Sequence, residues 1–248
     1  MLKYNMSNPL SHKNIILTGA SAGLGKVLAF ELAKQGANLV LIARNKQKLL
    51  ELKSEINQKF PDVKILVAPA DISNPEQVKD VISKAKEQFN QIHVLINNAA
   101  IWYEGDFLEH SNQKLKELFE INTLGQMYVT KEVLPLMLEQ KYGDVVFVNS
   151  IAATREYPED FAPYASTKYA IKGFAESIRK EYAKDNIRIM QIYPPGMETE
   201  IFKRAGFDYG KAEWMTAPKN IAEIIVFMLT RSRDVTMSNV VVNKTGFN

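Results

Sequence analysis

The amino-acid sequence predicts an α/β fold, a parallel sheet covered by helices on both faces and contained in one domain. Three observations carry this. Short, near-continuous apolar runs recur along the 248 residues, as strands buried on both faces require. Longer segments with 3.6-residue apolar spacing separate them, the alternation expected of a parallel sheet. No low-complexity tract, no linker and no repeat of about 20–50 residues divides the chain.

Taken in order, the first strand is Asn14-Ile15-Ile16-Leu17-Thr18. A glycine-rich turn leads from it into a helix on which Leu24, Val27, Leu28, Glu31 and Leu32 keep helical spacing, with Gly36 as the stop. Further strands are expected at 38–43, 63–68, 92–96, 145–148 and 187–193. The closing run Val240-Val241-Val242-Asn243-Lys244 brings the sheet to about seven strands. Asn74-Pro75-Glu76 opens a helix with a capping amide, a proline in the first turn and an acid at the positive dipole end. Ser111 caps another that runs toward Leu138. Residues 1–12 read as a polar tail and 197–219 as an irregular, mobile flap.

Composition narrows the function. Hydrophobic residues make up 46% and charged residues 24% of the chain, ordinary for a soluble globular protein. Cysteine is absent, which excludes a disulfide scaffold and thiolate-held zinc and fits a reducing compartment. The net charge is +3, with the cations dispersed among acids rather than gathered in a stripe, so no nucleic-acid partner is expected. The N-terminus lacks the apolar core of a signal peptide, and no segment reaches the ~20 apolar residues of a membrane span. The cytoplasm is the expected location. His12, His93 and His110 show no ligand spacing, and no metal is expected. A serine-hydrolase elbow is also missing.

The turn Thr18-Gly19-Ala20-Ser21-Ala22-Gly23-Leu24-Gly25 lies between the first strand and the first helix. Glycines there let the backbone and the helix N-terminus approach a pyrophosphate without Cβ clashes. The spacing, Gly-x-x-x-Gly-x-Gly, is neither a Walker loop nor the Gly-x-Gly-x-x-Gly of the standard dinucleotide turn. Its place after strand one nevertheless marks a Rossmann-type, doubly wound sheet with a nucleotide at its edge. An NAD site usually carries an acid at the end of strand two, for the ribose 2′-hydroxyl. Here the residues are Ile42-Ala43-Arg44-Asn45. A guanidinium can pair with a 2′-phosphate that a carboxylate would repel, and Ser21 offers a second donor. NADP(H) is favoured over NAD(H), although Arg44 also stands where a solvated residue opening the next helix would.

Tyr164 and Lys168 are four residues apart, so on a helix the phenol and the ammonium flank one site. An ammonium beside a phenol favours the phenolate, and such a tyrosine can protonate a carbonyl oxygen or deprotonate an alcohol. Tyr-x-x-x-Lys alone is a common surface pair. Its company makes it specific: Ser150 ends the fifth strand, the edge where ligands bind, and Asn122 is an amide in the middle of a helical segment.

These ordered motifs resemble the short-chain dehydrogenase/reductase family, from about Lys13 to Val242. The resemblance implies a catalytic tetrad of Asn122, Ser150, Tyr164 and Lys168. Ser150 would hydrogen-bond the substrate oxygen, Tyr164 transfer the proton, Lys168 hold the nicotinamide ribose, and Asn122 support a water relay. It implies cofactor contacts from Gly19, Ser21, Gly23, Leu24, Gly25, Arg44, Asp71, Ile72, Asn98, Ala99, Tyr164, Lys168, Pro194 and Thr199. The expected activity is NADP(H)-dependent interconversion of a small-molecule carbonyl and a secondary alcohol, in a homodimer or homotetramer. The alternative is a non-catalytic NADP-binding sensor or regulator on the same fold.

The chain departs from the family pattern in places. Ala100 replaces the last glycine of Asn-Asn-Ala-Gly. Tyr193-Pro194-Pro195-Gly196-Met197-Glu198-Thr199 admits two registers of the Pro-Gly motif, of which Pro194 to Thr199 keeps the spacing that lets Thr199 reach the nicotinamide amide. The glycine-rich ending after the last strand is missing. Trp102, Tyr103, Tyr157, Phe161, Trp214 and Met215 are candidates either for a substrate pocket or for core packing.

Overall fold

A computed structural model describes residues 9–154 and 160–247 of the chain. The strands are β1 (Asn14–Thr18), β2 (Asn38–Ala43), β3 (Ile65–Pro69), β4 (Val94–Asn97), β5 (Gly143–Val148), β6 (Ile187–Tyr193) and β7 (Asn239–Val241). They form one seven-stranded sheet in the order β3-β2-β1-β4-β5-β6-β7, with every neighbouring pair parallel. The helices are α1 (Gly23–Lys34), α2 (Lys46–Lys59), α3 (Pro75–Phe89), α4 (Asn112–Phe119), α5 (Gln126–Glu139), α6 (Ala162–Glu181), α7 (Ile201–Arg204) and α8 (Pro218–Leu229).

The two-residue period of a strand divides the core in two. Ile15, Leu17, Leu39 and Leu41 face one side, where α1, α2 and α8 cover them with Leu28, Leu32, Leu52 and Ile225. Ile16, Val40, Ile42 and Leu95 face the other, under Val78, Val133 and Ile171 of α3, α5 and α6. Every residue of β1 and β6 is buried. This is the origin of the continuous apolar runs in the sequence. Burying one such Leu or Ile side chain contributes roughly 1.5–3 kcal/mol, so the two layers fix which face each helix covers.

Several local expectations hold. Asn74 caps α3, its Oδ1 accepting from the amides of Glu76 and Gln77 at 3.1 Å each. The Ser111 hydroxyl accepts from the Lys114 amide at 3.3 Å and starts α4. Other limits move for physical reasons. β3 and β4 begin at Ile65 and Val94, later than the apolar runs at 63 and 92, because burial of Val63 and Ile92 extends past the ladder. β5 begins at Gly143, two residues early, because its second residue is a buried acid. Asp144 receives Arg188 Nε at 2.7 Å and Nη2 at 2.8 Å, a polar pair inside a strand that hydrophobicity does not reveal.

The helix expected from Ser111 toward Leu138 is continuous but not uniform. Between α4 and α5, Glu120–Gly125 winds as a π-helix. The 197–219 segment is not irregular throughout, since it contains α7 and closes on the start of α8. Of the expected tail, residues 9–12 turn against the domain and Leu10 is buried in the core, whereas residues 1–8 lie outside the described part. No helix among the described residues is long and apolar enough to cross a membrane. The strand order reverses between β1 and β4, and a doubly wound sheet opens a crevice there at the carboxyl ends of its strands.

Candidate active site

One cavity of about 1,200 Å³ opens at that crevice, larger than the roughly 300–1,000 Å³ of a single-ligand pocket. At one end is the glycine turn. Gly19 has φ +67°, and a Cβ on it would stand 2.8 Å from Ala99 Cα. A Cβ on Gly25 would stand 2.2 Å from the Gly19 carbonyl oxygen. Both positions therefore exclude a side chain. Thr18 Oγ1 accepts from the amides of Asn98 at 2.9 Å and Ala99 at 3.0 Å, and Asn98 Nδ2 donates to the Thr18 carbonyl at 2.9 Å. These bonds lock the turn to the segment after β4. No side chain caps the start of α1 at Ala22, and Gly23, Leu24 and Gly25 line the cavity. The amides of that first turn are the helix's orphan donors, suited to an anion.

Ser21, Arg44, Asp71, Ile72, Asn98 and Ala99 also line the cavity. Asp71 Oδ1 accepts from the amide and hydroxyl of Ser73, at 2.9 and 2.7 Å. Beside Arg44 the structure adds Asn45 and Lys48, which sequence reading missed. Lys48 is one of several lysines on α2, and only its place in the first turn, where the Asn45 side chain caps its amide at 3.0 Å, sets it apart. A backbone cradle with uncapped amides, leading to a guanidinium and an ammonium with no acid after β2, fits a dinucleotide that carries a 2′-phosphate.

At the other end Ser150 follows β5, its Oγ accepting from the Ala152 amide at 3.2 Å. Tyr164 and Lys168 come from α6, and both line the cavity. The Lys168 Nζ lies 5.6 Å from the Tyr164 ring centroid and donates to the Val148 carbonyl at 3.2 Å. Lys168 is 2% exposed. Burial lowers its pKa from 10.5 to about 8.

Asn122 is placed differently from the other three. It is fully buried within the π-helix and is not on the cavity lining. Its Oδ1 accepts from the Ile101 amide at 2.8 Å, while its Nδ2 donates to the Ile101 carbonyl at 2.8 Å and to Thr167 Oγ1 at 3.3 Å. The amide therefore braces the post-β4 strand end against α6. The extra residue per turn of a π-helix is a frequent device for such inward placement.

The Pro-Pro-Gly segment also differs from expectation. Pro194 is buried, its carbonyl accepting from the Ile151 amide at 3.1 Å. Pro195 and Gly196 line the cavity in its place. Gly196 is required by packing, since a Cβ on it would lie 1.9 Å from the Trp214 ring. Thr199 lies over the glycine turn, its Cβ 3.2 Å from where a Gly23 Cβ would be. Of the aromatic candidates, Trp102, Tyr103, Phe161 and Trp214 line the cavity and Met215 is buried outside its lining. Tyr157 lies outside the described residues. Phe202 and Tyr209 join the lining from 197–219, a segment without periodicity to announce them.

Comparison with known proteins follows the same lines. A family model described as short chain dehydrogenase matches residues 13–209. The NADP-dependent 3-hydroxy acid dehydrogenase of Schizosaccharomyces pombe is 35% identical over 94% of this chain and 93% of its own length. The 3-ketodihydrosphingosine reductase of Mus musculus is 35% identical over 75% of this chain, which covers 57% of that longer protein. Among solved structures, an alcohol dehydrogenase from the archaeon Thermococcus sibiricus complexed with 5-hydroxy-NADP superposes with a TM-score of 0.88 at 26% identity, over 96% of this chain and 99% of the other.

Proposed function

The chain belongs to the short chain dehydrogenase family, and from that premise we propose that it is an NADP(H)-dependent oxidoreductase interconverting a carbonyl and a secondary alcohol, with Tyr164 as proton donor and acceptor. One observation carries the reading: a single cavity joins the glycine turn and the Arg44–Lys48 cations to Ser150, Tyr164 and Lys168. The NADP dependence named for the Schizosaccharomyces pombe relative and the 5-hydroxy-NADP of the archaeal structure support the choice of cofactor.

When bound, NADPH supplies the hydride that the carbonyl carbon accepts. The chain's own residues do the rest. Gly19, Ser21, Gly23, Leu24 and Gly25 hold the pyrophosphate at the α1 N-terminus. Arg44, with Lys48, pairs with the 2′-phosphate, and Asp71 and Ile72 border the adenine. Asn98, Ala99 and Thr199, which line the same cavity, would complete the nucleotide's bed. The Ser150 hydroxyl donates to the substrate oxygen, which gains negative charge as the carbon is reduced. Tyr164 delivers its phenolic proton to that oxygen, and in oxidation takes the alcohol proton back. Lys168 stabilises the phenolate by charge and holds the nicotinamide ribose. Asn122 is a positioning residue that acts through Ile101 and Thr167. Exposed Phe119, Leu124 and Tyr169 support a homodimer or homotetramer built on α6 and on the continuous helix that starts at Ser111.

The test is a panel of ketones, aldehydes and 3-oxo thioesters offered to the purified protein with NADPH and, separately, with NADH. Consumption of NADPH in preference to NADH is the expected result. Tight NADPH binding with no consumption across the panel would transfer the chain to the sensor class.

A further inference from the structure

The substrate end of the cavity carries chemistry of its own. Trp102, after β4, lies 5.6 Å from the Phe161 ring and 4.7 Å from the Phe202 ring. Phe202 in turn meets Trp214 at 5.5 Å and Tyr209 at 5.6 Å. Phe161 precedes Tyr164 by three residues at the start of α6, which puts this ring series one helical turn from the proposed proton donor. Three separate segments thus build one aromatic wall. The Tyr209 hydroxyl donates to Glu104 across 105 residues of sequence, at 2.5 Å, and ties the 197–219 segment to the segment after β4. A wall of this kind removes apolar surface from water and rewards a ligand that does the same.

The charges around it disfavour an anion. Glu104 and Glu117 border the cavity, accepting from Tyr209 and Tyr103. Of the lining cations, Arg44 and Lys48 stand at the nucleotide end, Lys168 is buried beside Tyr164 and Arg204 is paired with Glu200 at 2.8 Å. Lys244, from the segment after β7, also lines the cavity and is the cation away from the nucleotide end that a carboxylate substrate could meet.

Resting on the oxidoreductase reading above, we infer that the preferred substrate is a ketone with an uncharged, apolar body, alkyl or alicyclic, seated against Trp102, Phe202 and Trp214. The reaction balance is unchanged by this choice: a hydride from NADPH forms the new C–H bond, the carbonyl π bond breaks, and the Tyr164 proton ends on the oxygen.

The chain has two tryptophans, and both line this cavity, so tryptophan emission reports on the wall. Cyclohexyl methyl ketone titrated into the protein with NADP⁺ should shift that emission saturably, whereas acetoacetate should not. With NADPH, kcat/KM over methyl ketones from ethyl to hexyl should rise about fourfold per methylene, the equivalent of about 0.8 kcal/mol, until the wall is covered. Methyl acetoacetate should exceed acetoacetate by at least tenfold. Phe202→Leu should flatten the chain-length series while the protein keeps its far-UV spectrum. Preference for acetoacetate over its ester, or a flat series with no emission shift, would overturn the inference while leaving the oxidoreductase reading intact. A saturable shift without turnover of any ketone would have the opposite meaning, upholding the apolar site and removing the catalytic reading.

Discussion

At the scale of single residues the proposed chemistry depends on charge held close to a phenol and on charge held open for a phosphate. Tyr164→Phe removes the transferable proton but keeps the ring beside Lys168. Its kcat should fall by about 10²–10⁴-fold, the usual weight of general acid–base catalysis, with the NADPH Kd from titration close to the parent value. Retained turnover would end the assignment. Arg44→Asp replaces a cation with a repelling anion at the nucleotide end. A lost hydrogen bond to a charged group costs about 1.5–3 kcal/mol, so NADPH should bind at least tenfold more weakly and NADH little differently. Equal losses for both cofactors would dissociate Arg44 from the 2′-phosphate. The sequence made these two residues legible because each stands at a motif position on a strand edge or helix start. Lys48 was hidden among like lysines, and Asn122 was legible as a residue but not as a brace.

At the scale of elements, the joins between strands decide what is stable and when. His93 precedes β4, and its Nδ1 accepts from the Asn14 amide at 3.0 Å, where β1 begins. That bond needs Nδ1 without a proton. Burial, reinforced by the Lys13 charge, lowers the His93 pKa from 6.5 to about 4. The folded chain therefore prefers neutral imidazole. Its contribution is present in full above pH 6.5 and is lost as the pH falls toward 4. The urea midpoint should drop through that window, and His93→Asn should reduce the slope; an unchanged slope would remove His93 from the account. Secondary structure followed the same logic of legibility. Caps such as Asn74 and Ser111 are chemical and local, so they can be read directly. The π-helix at Glu120–Gly125 depends on what α6 and the post-β4 segment offer to Asn122, and no local pattern announces it.

At the scale of the whole molecule, the two ends of the sheet have separate tasks. The carboxyl ends open the cavity, and the opposite end is held by Asp144, which is bound by Arg188 from β6 and Arg233 from the segment after α8. Arg188 further donates to the carbonyls of Leu229 and Val235, at 3.2 Å each. Breaking a buried pair by removing one partner costs about 3–5 kcal/mol, because the remaining charge stays buried. Asp144→Ala should lose about that much in chemical denaturation while turnover per folded molecule stays near the parent value, the cavity being at the far end of β5. A fall in kcat without a loss of stability would contradict this division.

The order of strands and helices, the nucleotide turn, the cation after strand two and the Tyr164–Lys168 pair were determined by the sequence alone. Each rests on local properties: period, propensity, capping and residue spacing. What only the tertiary structure decided were contacts between distant segments. The substitution of Pro195 and Gly196 for Pro194 on the cavity lining, the Trp214 ring that makes Gly196 obligatory, the aromatic wall, and the inward turn of Asn122 are of this kind. A side chain's neighbours across the fold leave no period in its own segment, so close packing of separate segments set them.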